Sequence, residues 1–173
     1  MMDLEALLKD KLTKTKEKVE TISQSLLDKT LGSDELAGFA RDLKDPDKAT
    51  CIEALEYATK QQPSVITQKA FDFVITALTA KAPRVKWESA KVIGNVASLF
   101  PDQLNEAIVK LLENSEHEGT VVRWSAAYAL GEIIQLKSSH NNELIPAAEA
   151  ICLREEKNSI RKIYLAAIKK TKK

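Results

Sequence analysis

Two tryptophans 37 residues apart, Trp87 and Trp124, stand in nearly identical surroundings. RVKWESAKVIGNVA begins at Arg84 and VVRWSAAYALGEII at Val121, so Val85, Trp87, Ala90 and Gly94 recur as Val122, Trp124, Ala127 and Gly131. Lys86 returns as Arg123. A repeated aromatic slot is suited to recognition, because Trp and Tyr bring large contact area at low entropic cost. Residues that make and break bonds show no such order. His117 and His140 have no metal-ligand spacing around them, and Cys51 and Cys152 form no CxxC pair. Carboxylates are abundant, but no pair stands out in an apolar setting. There is no GxSxG, phosphate-binding glycine loop or dinucleotide fingerprint. The sequence predicts a non-enzymatic protein with no cofactor and no metal.

The elements that hold this slot must be helices. Five Gly and five Pro in 173 residues are too few for an all-β fold with many tight turns. Residues 3–29 hold neither, and Leu8, Leu12, Val19, Ile22 and Leu26 follow 3-4 spacing. This predicts one long amphipathic helix, or two with a break near Thr13–Thr15. The segment caps the first repeat or serves as a short coiled-coil dimerisation helix. Leu31-Gly32-Ser33 ends it, and Ser33 is placed to cap the next helix. Helices then follow at 34–43 and 48–61, separated by Asp45-Pro46-Asp47. Pro63, Pro83 and Pro101 open helices to about Ala80, Leu99 and Asn114. Further helices are expected at 120–136, 143–154 and up to Lys170, with Pro146 able to kink its own. Second helices of successive pairs fall at 48–61, 84–99, 120–136 and 159–170. A period of 20–50 residues signals units that cannot bury their own apolar face and so stack.

On a helical wheel starting at Val122, the residues Val122, Ala126, Ala129, Leu130 and Ile133 gather around about 50°, whereas Trp124 falls at about 200° and Tyr128 at about 240°. Trp87 and Lys91 occupy the same two slots in the preceding repeat. The indoles either lie over the small residues Ala90, Gly94, Ala127 and Gly131 of a neighbouring helix or form an exposed ridge. Tyr128 is the more exposed of the aromatics on this reading.

Hydrophobic content of 44% with 29% charged residues belongs to a folded globular chain. The net charge of +1 gives no global attraction for nucleic acid or membrane. Residues 33–63 carry −3, 64–101 carry +3, 102–138 carry −3 and 139–173 carry +4. That alternation suits salt-bridged solenoid faces better than one basic track. No run approaches the roughly 18 apolar residues that span a bilayer. The first residues lack the basic and apolar regions of a signal peptide. A soluble, cytoplasmic protein with two reduced core thiols is expected.

The stretch VVRWSAAYALGEI resembles the second helix of a HEAT repeat, particularly the short PBS-lyase-like type, whose pattern is Val-Arg, Ala-Ala, then Ala-Leu-Gly and an aliphatic. The likeness is good at Val122–Ile133, fair at Val85–Val96, weaker at Ile160–Ile168 and poor in the first pair. It implies an all-α solenoid of about four helix pairs over residues 33–173, preceded by the helical cap 1–32. It also implies that Lys86, Arg123 and Arg161 run as a structural ladder bonding acidic or carbonyl groups at the turns. The function expected is a protein- or peptide-binding scaffold using the face of the second helices, with Trp87, Lys91, Trp124, Tyr128 and Lys162 as contact residues. The alternative is nucleic-acid binding of the kind seen in HEAT-like DNA alkylation-repair proteins. Bilin lyase activity is suggested by the repeat family's name alone.

Overall fold

The computed structural model describes residues 2–172. Among them every regular element is helical: α1 (Leu4–Lys9), α2 (Thr15–Leu27), α3 (Ser33–Ala40), α4 (Asp45–Gln61), α5 (Gln68–Ala77), α6 (Pro83–Val96), α7 (Asn105–Asn114), α8 (Thr120–Ile134), α9 (Asn141–Arg154) and α10 (Asn158–Thr171). The even-numbered helices pack on one another in unbroken sequence, α2 on α4, α4 on α6, α6 on α8 and α8 on α10. The odd-numbered helices form the other layer, α3 meeting α5 and α5 meeting α7. This is a HEAT/armadillo-like α-solenoid. One continuous core runs between the layers and includes Ile22, Leu36, Ile52, Phe71, Val85, Ile93, Leu111, Leu130 and Ile160.

The N-terminal segment is two helices. Asp10 stops α1 because its carboxylate accepts from the Leu12 amide and the Thr13 hydroxyl, which competes with continued helical bonding. Val19, Ile22 and Leu26 of α2 are buried, and Leu4 and Leu8 of α1 join the same core. That stripe is consumed by packing on α4, so it offers no seam for a coiled coil. Leu12 does not belong to it: the residue falls in the break and is 93% exposed.

Several boundaries differ from the sequence reading. Pro83 does open α6, but Pro63 and Pro101 open short 3-10 turns, Pro63–Val65 and Pro101–Gln103, ahead of the next α-helices. Ile66 is extended after the first of these, and α5 instead starts at Gln68, capped by Thr67, whose hydroxyl accepts the Ala70 amide. Ser33 does not cap its own helix. Its hydroxyl accepts the Thr67 amide at 3.0 Å, tying the start of α3 to the start of α5. Asp45 and Pro46 lie inside the first turn of α4, where a missing amide costs nothing. Pro146 sits within α9. Cys51 is buried as expected, whereas Cys152 is half-buried; both are free thiols.

Candidate partner-binding face

Trp87 and Lys91 lie on α6, Trp124 and Tyr128 on α8 and Lys162 on α10, three successive even-numbered helices. Val122 and its core companions point inward, which forces Trp124 and Tyr128 outward on α8. Trp124 is 40% exposed. Its indole lies nearly parallel to the Tyr128 ring, with centroids 6.1 Å apart and planes 8° apart. The i, i+4 spacing on one helix makes this contact local.

Tyr128 reverses the expectation that it is the more exposed of the two. It is half-buried and leans across the seam onto α6. The ring lies over Gly94, and the hydroxyl donates to Asn95 Oδ1 at 2.6 Å. Asn95 in turn donates through Nδ2 to the Glu56 carbonyl and the Thr59 hydroxyl, both at 3.1 Å. One polar chain thus links α8, α6 and α4. Burial pushes the Tyr128 hydroxyl up to about 12, and the charges of Glu132 and Glu56 add to this.

Trp87 and Lys91 are half-buried on α6. Lys91 Nζ donates to Glu88 Oε1 at 3.2 Å and lies 3.7 Å from Glu56 Oε1. Arg84 pairs with Glu53 at 2.9 Å beside them. Glu88 is only 2% exposed, and its other oxygen, Oε2, has no hydrogen-bond partner among the described residues. Burial raises the Glu88 carboxyl above its ordinary pKa; Lys91 opposes the shift, and Glu53 and Glu56 reinforce it. Glu132, half-buried on α8, is also raised by burial, with Lys170 opposing. Lys162 is exposed on α10, 38 residues after Trp124.

The basic series lies elsewhere, at the turns. Lys86 Nζ donates to the Leu78 carbonyl and to Asn114 Oδ1, each at 3.2 Å. Arg123 forms a fork on Glu155, 3.0 Å from Nε to Oε2 and 3.3 Å from Nη2 to Oε1, and its Nη1 donates to the carbonyls of His117 and Glu118. Burial alone would raise the Glu155 carboxyl, but the Arg123 hydrogen bond, the Lys157 amide and the charges of Arg123 and Arg161 hold it below its ordinary value. His117 Nδ1 accepts the Gly119 amide. No group of His, Cys, Asp and Glu that could hold a metal occurs among the described residues.

Asn95, Glu56 and Glu88 escaped the sequence reading. The sequence carried a trace of Asn95, which follows Gly94 and precedes Glu132 by one repeat. Glu56 and Glu88 meet only once the register of α4 against α6 is known, and α4 is the helix whose repeat pattern is weakest.

No protein-family profile matches the sequence, and no curated protein matches it. Solved structures do. An engineered protein superposes with a TM-score of 0.75 at 15% identity, covering 98% of this chain and 48% of its own, so this chain spans about half that protein's length. One chain of the complex of CpcE and CpcF of phycocyanin lyase from Nostoc sp. PCC7120 gives a TM-score of 0.69 at 19% identity, covering 95% of this chain and 96% of its own. A designed armadillo repeat protein in complex with peptide (KR)4 gives 0.71 at 18% identity, covering 97% and 80%. At these identities the likeness establishes the fold. No described helix is long and apolar enough to cross a membrane.

Proposed function

We propose that this protein is a non-enzymatic scaffold that binds a protein or peptide along the outward face of α4, α6, α8 and α10, with Trp87, Lys91, Trp124, Tyr128 and Lys162 as contact residues. The observation that carries this reading is the Trp124–Tyr128 stack: an indole 40% open to solvent, on a tyrosine anchored to Asn95. An aromatic held in place before its partner arrives loses little entropy on binding, which is what makes a hot spot. Tyr57 at 50% and Leu165 at 52% exposure, on α4 and α10, extend the apolar contribution of these helices. The peptide-bound armadillo design supports the reading by analogy of fold. Glu56, Glu88 and Glu132 on the same helices, with a net charge of +1, weigh against a duplex partner, whose phosphates need many cations.

The test is selection of peptides from a displayed library on the immobilised protein, followed by binding of the selected peptides to Trp124→Ala. Loss of about 2 kcal/mol or more on truncation is the expected result. Selected peptides that bind Trp124→Ala as tightly as wild type, or a salt-dependent gel shift with duplex DNA in place of peptide binding, overturn it.

A further inference from the structure

Half-buried lysines in this fold each reach an acceptor, with one exception. Lys18, Lys86, Lys91 and Lys110 donate to carbonyl or carboxylate groups. Lys48, in the first turn of α4, is half-buried too, yet its ammonium has no acceptor among the described residues. It lines a cavity of about 450 Å3 bounded by the end of α3, the start of α4 and α5 with the turn after it. Arg41 and Lys69 line the same cavity, and neither side chain is paired among the described residues. Asp72 is the one carboxylate of the lining, and its Oδ1 accepts from Gln68 Nε2 at 2.8 Å. Asp42, Asp45 and Asp47 are near in sequence but do not line the cavity. The 3-4 spacing of Lys69, Asp72, Phe73, Thr76 and Ala77 puts charge and apolar surface on one wall of α5. The Thr76 and Thr79 hydroxyls donate back to helix carbonyls at 3.1 and 3.0 Å, so the cations are the donors left for a guest.

We propose that this cavity binds a nucleoside monophosphate, its phosphate held by Arg41, Lys48 and Lys69 and its base set against Phe73. The ligand class follows from the lining. Three cations against one carboxylate leave two positive charges to neutralise. A phosphate monoester supplies close to two negative charges near neutral pH, with three acceptor oxygens to share among the cations. Arg41 adds a planar fork suited to phosphate, and the two lysines add mobile point charges. A bare ion makes no use of the apolar wall. Phe73, half-buried among the lining residues, gives a planar base an aromatic surface to rest on. Asp72 Oδ2, which has no partner among the described residues, accepts from an amino group of the base or a hydroxyl of the sugar. A volume of this size belongs to sites for small molecules. The cavity shares no residue with the proposed docking face, so each reading stands or falls alone.

The probe is adenosine monophosphate, titrated calorimetrically, with adenosine, inorganic phosphate and a glutamate octapeptide as comparison ligands. The nucleotide should bind at least about tenfold more tightly than adenosine or phosphate, since each of these lacks one set of contacts. Arg41→Gln and Lys48→Gln should each weaken the nucleotide about tenfold, the effect of one charge-assisted hydrogen bond. Phe73→Leu keeps the wall apolar but removes the ring, and should weaken the nucleotide while leaving phosphate unchanged. Lys60→Gln, on α4 but outside the cavity, should bind as wild type does. Circular dichroism melts verify that each variant is folded. No binding up to about millimolar nucleotide overturns the inference. Equal affinity for nucleotide and inorganic phosphate overturns it as well, because the cavity would then hold an ion alone. So does nucleotide binding indifferent to both Arg41→Gln and Lys48→Gln. A glutamate octapeptide that binds more tightly than the nucleotide, and is lost in the same variants, assigns the cavity to an acidic chain and overturns the nucleotide.

Discussion

The Tyr128 ring occupies the space that a side chain on Gly94 would need: a Cβ built on Gly94 comes within 2.8 Å of Tyr128 Cδ2. The equivalent glycine one repeat later behaves differently. A Cβ on Gly131 would lie 3.5 Å from Ala167 Cβ and Ile163 Cγ2, an ordinary contact. Gly94→Ala should therefore destabilise by about 1–3 kcal/mol, the usual cost of overpacking. Gly131→Ala should be neutral or gain up to about 1 kcal/mol from helix propensity. Gly131→Leu, in contrast, should destabilise by driving a branched side chain into α10. Chemical denaturation of the three variants checks this, and equal effects of the two alanine substitutions contradict it.

Ile93 and Leu130 are fully buried at the centre of α6 and α8. Truncation of either to Ala should cost about 2–5 kcal/mol. Little change in the thermal melt would mean that the α6–α8 interface is not the heart of the core.

Much of this was legible in the sequence. Ile93, Leu130, Val85 and Val122 announce their burial through helical spacing, and the Trp87–Trp124 repeat reveals the stacking of α6 and α8. The direction of Tyr128 was not legible, because a helical wheel fixes an angle but not which neighbour a side chain leans on. That depends on the empty space at Gly94 and on the acceptor at Asn95, both on another helix. Pro63 and Pro101 misplaced helix starts for a related reason: proline fixes one backbone angle and suits a 3-10 turn as well as an α-helix.

Tyr128→Phe should destabilise by about 1 kcal/mol or somewhat more, since Asn95 Oδ1 loses its donor. Trp124→Ala should change stability less than Tyr128→Ala, because the indole is the more exposed ring. Iodide should quench wild-type tryptophan emission in part, with the accessible fraction lost in Trp124→Ala. A protected Trp124 would remove the basis for the proposed hot spot.

Two carboxylates give opposite pH signatures. Glu88 is raised by burial, so the folded state holds its proton more tightly and stability falls as pH rises from about 4.5 through the raised pKa. Glu88→Gln should raise the melting temperature at pH 7, with the gain vanishing in acid. Glu155 is held low against burial chiefly by Arg123, so its contribution is present above the ordinary carboxylate pKa and lost as pH falls through the depressed one. Glu155→Gln should lower the melting temperature at pH 7 and matter less below about pH 4. Melts of both variants from pH 3 to 8 test the signs.

The two thiols should differ in reactivity. Burial pushes the Cys51 thiol up to about 12, while Cys152 is half-buried and raised less decisively, with Arg161 opposing. A thiol-disulfide reagent should titrate Cys152 first and Cys51 only on unfolding. Equal rates would place Cys51 outside the core.

Because the even-numbered helices pack on one another in series, the helix at each end of that layer has one even-numbered neighbour and those between have two. Amide hydrogens should therefore exchange fastest in α1, α2 and α10 and slowest in α6 and α8, as the ends fray before the whole unfolds. Both tryptophans sit on helices inside the stack, Trp87 on α6 and Trp124 on α8. Their fluorescence is blind to that fraying, whereas far-ultraviolet ellipticity counts every helix equally. The two signals should part company on heating, ellipticity beginning to fall while tryptophan emission still reports an intact protein.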